Sequence, residues 1–258
     1  MGTALVTGAS SGLGREYAEQ LAARGHDLVL VARDTDRLRA AADELTRAHG
    51  TRVEVLRADL SDRDQLETVA QRLADPQQPV DLLVNNAGFG SRRGILSAPV
   101  AAEEQALDVM VRAVLVLSHA AALAMRERGH GAILNVSSVA AFAVMGHYSA
   151  LKSWVTVFSE ALAHELAGTG VSVTAVCPGF THTEFHQRAE MNMSALPDAM
   201  WLEAPDVVRQ SLDAVAAGRV VLVPGAQYRT LTAVMKVLPR GVTRRLSGGL
   251  ASRRRTAR

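Results

Sequence analysis

Short aliphatic runs alternate along the chain with longer segments of helical periodicity. The runs predict strands at Thr3–Thr7, Asp27–Ala32, Val53–Arg57, Val80–Val84, Gly131–Val136, Val171–Cys177 and Val220–Val223. Apolar positions three or four residues apart predict helices at Gly14–Arg24, Asp36–His49, Asp62–Leu73 (capped by Ser61), Ala102–Arg128 and Tyr148–Ala167. Strands alternating with helices are typical of a parallel sheet covered on both faces. We therefore predict an α/β fold, a doubly wound parallel sheet of about seven strands.

No repeat, low-complexity stretch or linker divides the 258 residues. We predict one domain over 1–225 and a C-terminal extension over 226–258. Apolar residues of the extension fall near helical spacing, with basic residues between them: Tyr228, Leu231, Val234, Met235 and Leu238. This pattern is typical of a basic amphipathic helix, which could lie on a membrane, on a partner subunit or on its own domain.

Composition limits the cellular compartments in which the protein is expected. Hydrophobic residues make up 48% of the chain, enough for a large core, and Cys177 is the single cysteine, so no internal disulfide can form. We see no secretory signal and no apolar stretch long enough to cross a bilayer. We expect a cytoplasmic protein, with peripheral contact at the inner membrane surface as an option.

Charge is distributed unevenly. The formal net charge is +2, but after Asp213 there are ten basic residues and no acidic one. Such a tail could contact anionic lipid or nucleic acid, or be a solvated terminus. No nucleic-acid partner is expected, because stacking aromatics and a reading motif are lacking.

A glycine-rich turn follows the first predicted strand directly. Glycines let the backbone approach a pyrophosphate, and the next helix offers its N–H groups and positive dipole end. The turn could also be only a tight connection, but its strand–turn–helix context favours dinucleotide binding on a Rossmann-like fold. The predicted phosphate-side residues are Gly8, Ser10, Ser11, Gly12, Leu13 and Gly14.

The end of the second strand discriminates between cofactors. It reads Ala32-Arg33, without the carboxylate that usually binds the ribose of NAD. A guanidinium suits a 2′-phosphate, so we predict NADP(H) in preference to NAD(H). The alternative is an ordinary surface arginine.

With these residues in place, the chain resembles the short-chain dehydrogenase/reductase family, in its single-domain branch with TGxxxGxG and YxxxK motifs. The motifs occur in order from Thr3 to about Thr183. The resemblance implies that Asp59 and Leu60 meet the adenine and that Asn85, Asn86, Ala87 and Gly88 line the ribose or steady the sheet. It also implies that Thr183 contacts the nicotinamide carboxamide, and that Pro178 and Gly179 belong to the cofactor site.

Tyr148 and Lys152 stand four residues apart on a predicted helix and so share one face. An ammonium one turn away should lower the pKa of the phenol, which would then exchange a proton with a carbonyl oxygen. The resemblance adds that Lys152 binds the nicotinamide ribose, and Ser138 would orient the carbonyl, with Ser137 as its rival. Outside this context the pair would be an ordinary surface feature.

Two features depart from the family pattern. The loop at 139–147 is short, which would open the substrate pocket. Many relatives carry an asparagine where Met110 stands, and a thioether cannot hold a water as an amide does. We expect slower or rerouted proton supply, with activity retained.

The segment at about 180–205 is, by the resemblance, a lid over the substrate. It is rich in methionine and large apolar residues, which form adaptable apolar surfaces or ordinary core: Phe185, Met191, Met193, Leu196, Met200 and Trp201. Phe89, Val144 and Met145 could extend the same wall. His182 and His186 lack a third ligand, so no metal is expected.

These residues predict an NADPH-dependent oxidoreductase that reduces a ketone or aldehyde, or oxidises the matching secondary alcohol. The substrate would be hydrophobic, resembling a lipid, polyketide or steroid. The alternative is a catalytically weak NADP(H)-binding sensor or scaffold, favoured by Met110. The resemblance implies a homodimer or homotetramer.

Overall fold

The computed structural model describes residues 2–90, 95–185, 197–238 and 241. The strands are β1 (Thr3–Thr7), β2 (Asp27–Ala32), β3 (Val53–Arg57), β4 (Leu82–Asn85), β5 (Gly131–Val136), β6 (Val171–Val176), β7 (Thr181–His182), β8 (Leu202–Glu203) and β9 (Val221–Leu222). The α-helices are α1 (Gly12–Ala23), α2 (Thr35–His49), α3 (Arg63–Ala74), α4 (Val100–Leu107), α5 (Ala113–Arg128), α6 (His147–Glu165), α7 (Ala204–Ala216) and α8 (Ala226–Val237).

Seven strands form one parallel sheet in the order β3-β2-β1-β4-β5-β6-β9. This arrangement confirms the predicted Rossmann-like α/β fold. The strand order reverses between β1 and β4, where Val6 pairs with Val84. A crevice opens at the carboxyl ends of parallel strands at such a reversal, and ligands bind there. The turns after β1 and β4 are therefore brought to one place.

Alternate residues of the strands feed two cores. Val6 belongs to the core shared with α1, α2 and α7, whereas its neighbour Leu5 belongs to the core shared with α3 and α5. Tyr17 and Leu21 bury the predicted face of α1 in the first core. Both faces of the sheet are thus covered, which is why its central strands are rich in aliphatic residues.

Several local predictions need correction. Helix α3 is capped by Asp62, whose carboxylate accepts the N–H groups of Asp64 and Gln65, and Ser61 instead bonds Asp59. Helix α1 begins at Gly12, two residues before the predicted start at Gly14. Helix α7 was not predicted, although Val207, Val208 and Leu212 are buried at helical spacing behind a proline in its first turn.

The predicted helix at Ala102–Arg128 runs from Val100 and contains one wide turn. Asp108–Arg112 is a π-helical turn that joins α4 to α5. Within the described ranges, Val100–Arg128 is long and apolar enough to cross a membrane by length and composition, contrary to expectation, and 44% of its apolar window is buried within the domain. Its apolar character is accounted for in part by packing against α3 and the sheet.

Candidate active site

The turn after β1 is built for close approach of a ligand to the backbone. Gly8 and Gly12 have φ angles of +67° and +55°, a region that favours glycine. A Cβ on Gly14 would lie 2.1 Å from the carbonyl oxygen of Gly8. Ser10 and Ser11 are partly exposed, and the side chain of Ser11 does not cap α1. The first turn of α1 can therefore present N–H groups to a phosphate.

Hydrogen bonds between Thr7, the last residue of β1, and Asn86, which follows β4, stabilise this turn. The Thr7 hydroxyl oxygen accepts the N–H groups of Asn86 and Ala87, each at 3.0 Å. The Asn86 amide donates to the carbonyl oxygen of Thr7 at 2.9 Å. Leu13 packs partly buried against the core beneath α1. Asn86 and Leu13 thus support the turn from behind.

Arg33 and Asp59 lie together at the edge of the crevice. A guanidinium nitrogen of Arg33, a side chain 68% exposed, is 3.9 Å from an Asp59 carboxylate oxygen. Burial alone would raise the pKa of Asp59, but hydrogen bonds from Ser61 and the charge of Arg33 outweigh it and hold that pKa below its usual range. The side chain of Leu60 is buried in the core. Arg33 is therefore exposed at the strand end where a 2′-phosphate was predicted.

Asn85 serves the sheet with its side chain. Its amide donates to the Ser118 hydroxyl on α5 at 3.0 Å and to the Asn135 carbonyl oxygen on β5 at 2.9 Å. Asn135 in turn donates to Ser159 on α6 at 2.9 Å. This buried chain of hydrogen bonds ties two strands to both long helices. Asn85 is 4% exposed, and its amide is engaged in linking the sheet to α5.

Tyr148, Lys152 and Ser138 meet at the carboxyl end of β5. The Lys152 ammonium lies 5.8 Å from the centre of the Tyr148 ring and donates to the Val136 carbonyl oxygen at 2.8 Å. The Ser138 hydroxyl oxygen accepts the Ala140 N–H at 3.1 Å, and Ser138 acts to lower the pKa of Tyr148. Ser137 is buried and its hydroxyl bonds the Lys152 carbonyl oxygen at 2.8 Å. The geometry thus favours Ser138 over Ser137 as the serine that faces a substrate.

The expected acidification of Tyr148 is not found in this structure. Burial raises the pKa of Tyr148 to about 12, and the hydrogen bond with Ser138 only partly opposes that rise. Burial lowers the pKa of Lys152 to about 8, against a smaller opposing influence of Cys177. The prediction was wrong because loss of solvent on burial is the largest influence on this pKa, and the Lys152 ammonium donates to the Val136 carbonyl oxygen instead. Near neutrality the phenol is therefore protonated.

Met110 lies directly behind this group, in the π-helical turn. It is 2% exposed and packs with Ala106 and Leu151. A Cβ on Gly88 would lie 3.3 Å from the Met110 sulfur and 3.7 Å from the Lys152 nitrogen. The Met110 thioether and the Lys152 ammonium thus both approach Gly88. Single π turns are frequent at functional sites.

Glu103 and His147 form a contact that sequence reasoning missed. The His147 ring nitrogen Nδ1 is hydrogen-bonded to the Glu103 carboxylate, and both side chains are largely buried. His147 is the first residue of α6, immediately before Tyr148. The pair ties α4 to the start of α6. The apolar pattern of α4 does not reveal this pair, because Glu103 and His147 are 44 residues apart in the sequence.

The segments on either side of 186–196 contribute the remaining predicted residues. The side chain of Thr183 lies over Gly12, 3.5 Å from an ideal Cβ there. The Phe185 ring is 6.2 Å from that of Tyr148. Trp201 stacks on His182 at 4.5 Å. Pro178 is buried, and Gly179 packs on Tyr228. His186, Met191, Met193 and Leu196 lie outside the described residues.

The apolar wall is partly visible. Phe89 packs against Met110, and Val144 is 50% exposed beside the start of α6. Among the residues that the structure describes, no group of three or more histidine, cysteine, aspartate or glutamate side chains could hold a metal ion. His182 has Glu203 at 3.8 Å as an acidic neighbour.

Comparison with known proteins gives a consistent result. A family model described as short chain dehydrogenase matches residues 2–194. An uncharacterized oxidoreductase of Mycobacterium tuberculosis is 31% identical over 248 residues, covering 94% of this chain and 96% of that protein. The short-chain dehydrogenase from Sphingobium yanoikuyae in complex with NADPH is 36% identical with a TM-score of 0.84, and the bulky-bulky ketone specific alcohol dehydrogenase from Comamonas testosteroni is 30% identical with a TM-score of 0.79. Each of these two alignments covers 93% of this chain and 96% of the other.

Proposed function

The chain belongs to the short-chain dehydrogenase family and is an oxidoreductase acting on alcohol or ketone groups, and from this premise we propose that it is an NADPH-dependent reductase of a hydrophobic ketone or aldehyde. The observation that carries the proposal is the group formed by Ser138, Tyr148 and Lys152, whose ammonium lies near Gly88 at the crevice. The same residues would oxidise the matching secondary alcohol in reverse.

The glycine cradle and the Lys152 ammonium fit a dinucleotide. The cofactor supplies a hydride to the carbonyl carbon, or accepts one in the reverse direction. Ser138 would orient the carbonyl by donating to its oxygen. The Tyr148 hydroxyl would pass its proton to that oxygen as the C–O double bond becomes single, and the Lys152 ammonium would stabilise the phenolate left behind. A phenol that is protonated at neutrality is already in the state that reduction requires.

Two observations support NADPH as the cofactor. Arg33 stands exposed at the end of β2, where an NAD site usually has a carboxylate, and its charge is only loosely paired with Asp59 at 3.9 Å. The related Sphingobium dehydrogenase was solved in complex with NADPH. The guanidinium would bind the 2′-phosphate in place of that weak pairing.

The surroundings of Tyr148 favour an apolar substrate, resembling a lipid, polyketide or steroid. Phe185 faces its ring, and Val144 is exposed nearby. The name of the Comamonas relative specifies bulky ketones.

The test is steady-state reduction of aromatic, decalone and long-chain ketones, with a polyol-derived ketose as the polar comparison. We expect turnover with NADPH, and a loss of about a thousandfold or more in Tyr148→Phe with NADPH affinity kept. Ser137→Ala is the matched control, because the buried Ser137 hydroxyl bonds the Lys152 carbonyl oxygen and the Thr156 hydroxyl and does not face the substrate. Equal rates for Tyr148→Phe and wild type would overturn the proposal. NADPH binding without any turnover would favour the sensor alternative.

Members of this family act on small molecules and commonly form oligomers. We propose a homodimer or homotetramer in the cytoplasm, paired through α5 and α6, on which Leu115, Leu123 and Val157 are exposed. Sedimentation of the wild-type protein against Val157→Glu tests it, since a buried charge should shift the protein to a smaller species.

We also propose that the C-terminal helix and tail contact anionic membrane. Leu231, Val234 and Val237 are exposed along α8, and the sequence beyond it is basic without any acidic residue. Co-sedimentation with phosphatidylglycerol vesicles should exceed that with phosphatidylcholine vesicles. Equal recovery with both would refute this contact.

A further inference from the structure

Tyr228, in the first turn of α8, joins two separate parts of the chain. It is 1% exposed. Its hydroxyl donates to the carbonyl oxygen of Met200 at 2.5 Å and accepts the N–H of Phe180 at 3.1 Å. Leu202 donates to the Phe180 carbonyl oxygen at 2.8 Å in the same place. One side chain of the C-terminal helix therefore holds the backbone on both sides of 186–196.

The ring of Tyr228 accounts for the glycine beside Phe180. A Cβ on Gly179 would lie 2.0 Å from ring carbon Cε2 and 2.1 Å from Cζ. Gly179 does not have a positive φ angle, so space rather than backbone conformation requires glycine here. The Pro178-Gly179 motif is thus fitted to a residue about fifty positions later.

The backbone that Tyr228 holds leads to the reacting groups in two directions. On one side, the Pro178 carbonyl oxygen accepts the Val139 N–H at 3.0 Å and the Ser138 hydroxyl at 3.5 Å. On the other side, the chain continues from Phe180 to Thr183, which lies over Gly12 of the glycine turn. A shift of Gly179 and Phe180 would therefore displace both Ser138 and Thr183.

We propose that Tyr228 is a positioning residue for carbonyl reduction, because it fixes the segment from Pro178 to Thr183 against Ser138 and the glycine turn. The inference rests on the proposed function and extends it to the C-terminal helix. Helix α8 then belongs to the catalytic unit, and the boundary predicted at 225 separates parts that work together.

The test removes only the hydroxyl. Tyr228→Phe keeps the ring against Gly179 but leaves the Phe180 N–H and the Met200 carbonyl without this partner. Thr232→Val is the matched control, because Thr232 is also buried on α8 but bonds only Tyr228 and Arg229 of its own helix. We expect kcat to fall roughly three- to tenfold in Tyr228→Phe, as for a lost buried hydrogen bond, with a larger primary isotope effect from deuterated NADPH and little change in KM for NADPH. Thr232→Val should match wild type.

A second measurement does not depend on turnover. Amide hydrogen exchange of the cofactor-free protein should be faster in the peptide covering Pro178 to Phe185 for Tyr228→Phe only. Unchanged exchange and unchanged kcat in Tyr228→Phe would overturn the positioning role while leaving the proposed function intact. If wild type bound NADPH but reduced nothing, the proposed function would fail, and exchange would still decide whether Tyr228 holds this segment.

Discussion

The nucleotide turn and the substrate side of the crevice are built by different means. The turn is made of glycines and backbone atoms within eight consecutive residues, Thr7 to Gly14, with Asn86 as a brace. The substrate side is made of side chains far apart in sequence, such as Glu103 with His147 and Gly179 with Tyr228. Backbone geometry leaves a compact motif in the sequence, whereas sequence spacing does not reveal the partner in a contact across the chain, even where one partner belongs to a motif, as Gly179 does. A substitution in the turn should therefore strongly weaken cofactor binding, whereas loss of one of these side-chain contacts should lower activity only in part.

The largest effect on cofactor affinity is expected where a side chain blocks the glycine turn. Gly14→Ala would place a Cβ 2.1 Å from the Gly8 carbonyl oxygen, so the turn must deform and the NADPH dissociation constant should rise about a hundredfold or more. Titration of protein fluorescence with NADPH measures it. The control is Gly168→Ala, which strains a glycine with φ +79° in open space and should leave affinity unchanged. Normal affinity in Gly14→Ala would mean that phosphates do not bind at this turn.

A smaller effect is expected at the exposed edge of the same region. Arg33→Ala should weaken NADPH binding roughly ten- to thirtyfold and NADH binding little, since only NADPH offers a 2′-phosphate for a charge-assisted hydrogen bond. Arg52→Ala is the control, because that exposed arginine pairs with Asp27 at the opposite end of the sheet. Equal affinity of wild type for the two cofactors would contradict the predicted preference.

The catalytic group should respond to pH through Lys152. Its pKa of about 8 means that the ammonium is present below this pH and lost above it, so kcat/KM for reduction should fall about tenfold per unit above pH 8. Tyr148, with a pKa of about 12, remains protonated throughout this range. The measurement is kcat/KM between pH 6 and 10 at saturating NADPH. A flat profile to pH 9.5 would show that the ammonium is not required.

The smallest effect is expected at Met110. Met110→Asn places an amide beside the Lys152 nitrogen, where it can hold a water, and should raise kcat roughly two- to fivefold if proton supply limits the rate. Met110→Leu keeps the site apolar and should match wild type. A fall in kcat for the asparagine variant alone would indicate that the turn is packed for a thioether.

The same contrast explains what could be predicted from the sequence. Strands β1, β2, β3 and β5 have the predicted bounds, because each is a short run rich in aliphatic residues. The spacing of Tyr148 and Lys152 could be interpreted from helical geometry alone. The pKa of Tyr148 could not, because it depends on how much solvent the folded protein removes.

Contacts across the chain were the other gap. On α8, the sequence pattern placed Tyr228 on one apolar face with Leu231 and Val234, but only Tyr228 is buried. A periodic pattern identifies a face without saying what covers it. The Asp62 cap was missed because two neighbouring polar residues offered the same chemistry, and only the fold shows that Ser61 is bonded to Asp59.

The late position of Tyr228 has a consequence for biosynthesis. A ribosome delivers β1 through β6 before α8, so a nascent chain has the glycine turn and the catalytic helix while the space against Gly179 is still empty. Such a chain can form the nucleotide pocket before Tyr228 fixes the segment from Pro178 to Thr183. The contact between Gly179 and the Tyr228 ring can form only after α8 has been synthesised.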